Sequence, residues 1–120
     1  MWHNWNGQNC KSIELGIQNR SFRYGDGLFE SLRLFNGKVF NRKNHERRLE
    51  KSLQLLSLEL NVEVNHLFDR VEELALTNSL SQGSSARITI YREGEGLYTP
   101  QQDKASYVIQ TFKEATNLFL

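Results

Sequence analysis

The amino-acid sequence predicts an α+β sandwich, two layers in which a mostly antiparallel sheet carries two helices on one face. Three observations point there. Apolar and polar residues alternate with period two in Ser12–Ile17 and Ala86–Arg92, Leu28–Phe35 reads as a strand closed by Asn36-Gly37, and Tyr107–Phe112 is rich in β-branched and aromatic residues. Between them the period lengthens to that of a helix, in Leu49-Leu53-Leu56-Leu60 and in Val64-Leu67-Phe68-Val71-Leu74-Ala75. The chain has 120 residues, 38% hydrophobic and 24% charged, enough for one core that buries roughly two-thirds of the unfolded surface. Strands, then helices, then strands do not fit the strict alternation of a doubly wound fold.

In chain order, Asn6-Gly7 predicts a first hairpin, because Asn-Gly readily takes the two positive-φ positions of a tight turn. A strand is expected over Ser12–Ile17 and a loop over Asn19–Gly27. Leu28–Phe35 reads as the next strand, turned by Asn36-Gly37 and returned by Lys38-Val39-Phe40. Asn44 is the expected N-cap of the first helix, whose apolar face runs from Leu49 to Leu60. The second helix starts near Val64 and should end at Gly83 and its serine neighbours. The last two strands are joined by a Gly-rich loop around Gly94-Glu95-Gly96. No internal repeat, low-complexity tract or linker divides the chain, and its apolar ending, Leu118-Phe119-Leu120, suggests that something continues or docks there.

Composition excludes several function classes. A formal net charge of +1 supplies no global field toward nucleic acid or an acidic membrane, so any anion site must be local. Cys10, the single cysteine, cannot form an intrachain disulfide and points to a reducing compartment. The first residues hold no apolar signal region and no run approaches a membrane span, so a soluble, cytoplasmic protein is expected, with Asn19-Arg20-Ser21 a coincidental sequon. His3, His45 and His66 are not at ligand spacing, so no metal site is expected, and no nucleophile elbow marks a serine.

The densest basic segment, Lys38–Lys51, admits three readings. Opposite a leucine stripe and mixed with Glu46 and Glu50, its charges fit a solvated helix face. Nucleic-acid binding is the least favoured reading. The third is a phosphate site, where the first turn of a helix offers free N–H groups and an arginine adds a planar fork of donors. Spacing alone leaves Arg47 and Arg48 both open. Gly25-Asp26-Gly27 lacks the third glycine of a dinucleotide fingerprint, since Glu30 stands there and a strand follows.

The segment Asn19-Arg20-Ser21-Phe22-Arg23-Tyr24-Gly25-Asp26-Gly27-Leu28-Phe29-Glu30-Ser31-Leu32-Arg33 resembles the N-terminal domain of class IV aminotransferases, the fold-type IV pyridoxal-phosphate enzymes. These include branched-chain and D-amino-acid aminotransferases and 4-amino-4-deoxychorismate lyase. The resemblance continues through Phe35-Asn36-Gly37-Lys38-Val39-Phe40 into His45-Glu46-Arg47-Arg48-Leu49, which is similar to the family's His-x-x-Arg-Leu motif. It extends to Ala86-Arg87-Ile88-Thr89-Ile90-Tyr91-Arg92 and Gly96-Leu97-Tyr98-Thr99-Pro100, and so covers most of the chain.

The resemblance implies a pyridoxal 5'-phosphate enzyme in which Arg48 holds the cofactor phosphate. Tyr24 and Phe29 would line the substrate pocket, and Arg87 would bind the substrate carboxylate, with Arg92 as its competitor. It implies an amino acid or 2-oxo acid as substrate and a homodimer. It also implies a Schiff-base lysine in a C-terminal domain. Lys104 and Lys113 are the only lysines after the second helix and neither lies in the family's context. Residues 1–120 are therefore expected to be the smaller N-terminal domain of a longer enzyme, inactive alone, with catalytic residues outside this chain. Amino transfer is the first expectation and pyruvate release from aminodeoxychorismate the second. A complete, noncatalytic interaction domain is the alternative from another class.

Overall fold

Two Asn-Gly pairs fold the chain back on itself, as their ease with positive φ predicts. Asn6 and Gly7 stand at φ 54° and 94° between β1 (His3–Trp5) and β2 (Gln8–Cys10). Asn36 and Gly37 stand at 51° and 77° between β3 (Gly27–Phe35) and β4 (Lys38–Val39). The computed structural model describes residues 1–13, 27–80, 82–93 and 104–113. Of the strand expected at Ser12–Ile17, Ser12 and Ile13 are not in a strand, and the remainder lies outside the described residues.

With β5 (Ser84–Arg92) and β6 (Ala105–Lys113), the strands form one sheet in the order β2-β1-β6-β5-β3-β4, each neighbouring pair antiparallel. Its register decides which residues share a face. Glu30 pairs with Ile88 and Ile88 with Ile109, while Leu32 pairs with Ala86 and Ala86 with Thr111. These side chains point toward the helices. One residue along, Phe29 pairs with Thr89 and Ser31 with Arg87, on the opposite face.

The helices are α1 (Arg42–Leu55) and α2 (Val64–Thr77), packed on one side of the sheet. All six apolar positions of the second period, Val64, Leu67, Phe68, Val71, Leu74 and Ala75, are buried in α2. They meet Leu32, Leu34, Ile88, Ile90 and Ile109 of the sheet and Leu49 and Leu53 of α1. That apolar layer is the core, and it fixes the sandwich that the periodicity predicts. No described helix is long and apolar enough to cross a membrane.

The helix boundaries differ from expectation. Asn41, not Asn44, caps α1, because its left-handed backbone (φ 59°) turns the chain directly out of β4. Asn44 lies inside the first turn and donates to Asn41 Oδ1. The helix stops at Leu55, so Leu56 becomes an exposed cap and Leu60 packs on the core from beyond the helix. Ser57, at φ 53°, reverses the backbone there. α2 likewise ends well before Gly83, at Thr77, where Ser79 takes φ 58°.

Candidate functional site

The residue that organises the site is an acid in an apolar stripe. Leu28, Glu30, Leu32 and Leu34 share the inward face of β3, so the strand that buries Leu32 and Leu34 also buries Glu30. A buried carboxylate needs donors, and α1 supplies them. His45 and Arg48, three apart, lie on the same side of the helix and both reach down onto the strand. His45 Nδ1 donates to Glu30 Oε2 at 2.7 Å. Arg48 donates to the same oxygen through Nε at 3.0 Å and Nη2 at 2.7 Å. The Arg48 side chain nevertheless remains 64% exposed, so a guanidinium anchored along one edge opens the rest of its fork to solvent.

This geometry separates the two arginines that spacing left open, since Arg48 joins the buried acid and Arg47 is exposed on the helix. It also corrects the expected place of the two arginines along the helix. α1 begins at Arg42, which places Arg48 in the second turn, where backbone N–H groups are already spent within the helix. Whatever Arg48 binds, it binds with its side chain.

The opposite face of the sheet gathers the other candidates. Phe29 is 62% exposed, and the Arg87 guanidinium sits over its ring at 5.0 Å from the centroid. Ser31 pairs with Arg87, and Thr89 pairs with Phe29, so the four residues form one cationic and aromatic patch. Tyr24 lies outside the described residues, as does the Gly-rich segment after Glu93. Arg92 turns the other way. It is buried on the helix side and donates to the carbonyls of Leu56 and Ser57, the free acceptors at the end of α1. Of the two competitors for a carboxylate, the patch holds Arg87.

A second ionic group ties the helices together without joining the site. Arg42 donates to Glu46, Glu72 and Asp69 and to the Asn65 carbonyl, bridging α1 and α2. Burial pulls the Arg42 pKa down, but the hydrogen bonds and charges of those carboxylates outweigh it and leave it raised. A cleft of about 510 Å³ lies elsewhere, between Glu59, Arg70, Glu93, Lys104 and Tyr107. Arg70 donates to the Tyr107 hydroxyl there, and burial, which outweighs Arg70, raises the pKa of that phenol.

Sequence reasoning missed Glu30, which entered only as the residue standing where a third glycine would fall. The signal was present. An acid at an inward position of a period-two strand, between two leucines, demands a buried cation from elsewhere in the fold.

Comparison with known proteins gives this arrangement a context. A D-alanine aminotransferase from Staphylococcus epidermidis is 30% identical over 75 residues, which cover 62% of this chain and 27% of that protein. A branched-chain aminotransferase from Thermoproteus uzoniensis, solved with norvaline, superposes with a TM-score of 0.86 at 20% identity, over 96% of this chain and 41% of that one. A 4-amino-4-deoxychorismate lyase from Pseudomonas aeruginosa superposes with a TM-score of 0.65 at 28% identity, over 83% and 36%. The chain thus spans well under half of the relatives it matches. The sequence pattern of amino-transferase class IV matches residues 27–117, from the first residue of β3 past the end of β6, and the chain belongs to that family.

Proposed function

We propose that this chain is the N-terminal domain of a pyridoxal-phosphate enzyme that moves an amino group between a small amino acid and a 2-oxo acid. The observation that carries the reading is Arg48, fixed by Glu30 along its Nε–Nη2 edge and 64% exposed elsewhere. A guanidinium has five donors in a rigid fork, so the end not spent on Glu30 suits the oxygens of a phosphate. The residues present fit the group, with the phosphate held by Arg48. When bound, pyridoxal phosphate supplies an electron sink for chemistry at the carbon bearing the amino group.

The chain's own residues would bind and orient. Arg48 fixes one end of the cofactor, which restricts its tilt and cuts the entropic cost of alignment. Phe29 and Arg87 would receive the substrate, the ring walling the pocket and the guanidinium pairing with the carboxylate, and Tyr24 would complete the wall. The Schiff-base lysine belongs, in this reading, to a C-terminal domain, and the whole enzyme works as a cytoplasmic homodimer.

The test is Arg48→Ala in the full-length protein. Loss of two or more charge-assisted hydrogen bonds should weaken pyridoxal-phosphate affinity about a hundredfold or more by equilibrium dialysis. Unchanged affinity overturns the assignment. The 28% identity with the lyase favours a second reading, in which the same pocket releases pyruvate from aminodeoxychorismate. Pyruvate formed from that substrate with no 2-oxo acid present would select it over amino transfer.

A further inference from the structure

We infer that His45 and Glu30 are positioning residues for Arg48, and that His45 acts only through the single donor it gives to Glu30. This rests on the reading of Arg48 as the phosphate ligand. Three donors converge on one oxygen, Glu30 Oε2, two from Arg48 and one from His45 Nδ1. Glu30 is buried on β3 and paired with Ile88 in the long ladder to β5, so that oxygen is held by the sheet. A long arginine side chain on a helix surface samples many rotamers, and ordering it costs conformational entropy. Pairing its Nε–Nη2 edge with a fixed carboxylate removes that freedom before any ligand arrives.

Glu30 alone would be a poor anchor. Its negative charge also opposes a phosphate approaching the same guanidinium, so the pair needs a further donor to draw charge away from Arg48 and stop the carboxylate from swinging outward. His45 occupies that position, one helical turn before Arg48, with its side chain mostly buried. The requirement is therefore for an N–H at the Nδ1 position. The imidazole's second nitrogen is not part of the role.

That requirement can be separated from an acid, base or direct ligand role, because the amide nitrogen of asparagine can stand where Nδ1 stands in histidine. The experiment measures dissociation constants of pyridoxal phosphate and of phosphate-free pyridoxal for the full-length protein and its variants, by quenching of tryptophan fluorescence. The ratio of the two constants isolates the phosphate contact. His45→Leu and Glu30→Ala should each cut the phosphate preference about tenfold while leaving pyridoxal affinity within about twofold. His45→Asn should restore the preference to within about threefold of the parent.

If His45→Asn is as damaging as His45→Leu, the ring itself is needed and the inference falls. If either truncation leaves the preference at the parent's value, positioning is excluded for that residue. Arg48→Ala, measured beside them, keeps the two claims apart. A preference that survives Arg48→Ala removes the phosphate reading and the positioning role with it, whereas one lost in Arg48→Ala but intact in Glu30→Ala overturns positioning alone. Should Glu30→Ala fail to fold, the comparison of His45→Asn with His45→Leu decides, since both keep the strand intact.

Discussion

Glu30 and Asp69 are both acids paired with an arginine, and burial makes them do different things. Glu30 is enclosed between β3 and α1, where an unpaired charge would be strongly destabilising, so its partners are obligatory. Asp69 is exposed on α2, and its bond from Arg42 Nη2, at 2.7 Å, is one of several that bridge the helices. That hydrogen bond holds the Asp69 carboxyl below its usual range. A carboxyl lowered in the folded state stabilises the fold above its unfolded pKa, and the contribution is lost as pH falls through the folded value. Asp69→Asn should therefore lower the urea midpoint slightly at pH 7, and the gap between parent and variant should close as pH drops below about 4. A gap that stays constant into acid would mean that Asp69 acts by something other than its charge. Neither pairing was legible residue by residue. Lys38–Lys51 read as a mixed-charge surface because its acceptors, Glu30, Asp69 and Glu72, come from other elements and carry no local mark of their partner.

At the scale of elements, periodicity located the helices and misplaced their ends, and the two serines explain why. Ser57 and Ser79 each sit just past a helix in the left-handed region, at φ 53° and 58°. In both, the serine N–H bonds back to a carbonyl of the last turn, Gln54 or Leu76. The following leucine N–H reaches further, to Leu53 or Ala75, and its buried side chain, Leu58 or Leu80, seals the turn against the core. This is the ending that glycine normally marks. With serine at the turn the stop signal was absent, so the stripe seemed to run on to Leu60 and the second helix to Gly83. A non-glycine residue at positive φ is strained by roughly 1 kcal/mol or more, which the greater backbone entropy loss of glycine only partly offsets. Ser57→Gly and Ser79→Gly should thus each stabilise the domain by about 0.5 kcal/mol, seen as a higher denaturation midpoint. A loss of stability in either would assign the serine hydroxyl a role that the backbone geometry does not require.

Over the whole molecule, local patterns wrote the hairpins and the strand–helix–strand order, but not how the chain closes. β1 meets β6 through Asn4 with Ile109 and Trp5 with Val108, and Asn6 adds bonds to both the N–H and the carbonyl of Tyr107. No short-range signal links residues a hundred positions apart, so that pairing follows only from the completed sheet. Closure leaves a sheet whose two faces carry different residues, because alternate residues of one strand point to opposite sides. The helix side holds the apolar layer around Phe68, which is fully buried. Phe68→Ala should cost about 3–5 kcal/mol of stability through the cavity it leaves. In full-length protein that is still folded it should leave the KM for the amino substrate near the parent's value. Phe29, on the other side and largely open to solvent, should behave in reverse. Phe29→Ala loses a ring under Arg87 and should change stability by no more than about 1 kcal/mol. By the proposed pocket, it should raise that KM about tenfold, the effect expected from removing one apolar wall. Denaturation curves and steady-state kinetics on the same two variants check both halves. A Phe29→Ala protein with an unchanged KM would place the pocket elsewhere, and a Phe68→Ala protein with a KM raised as far would mean that the faces are not independent.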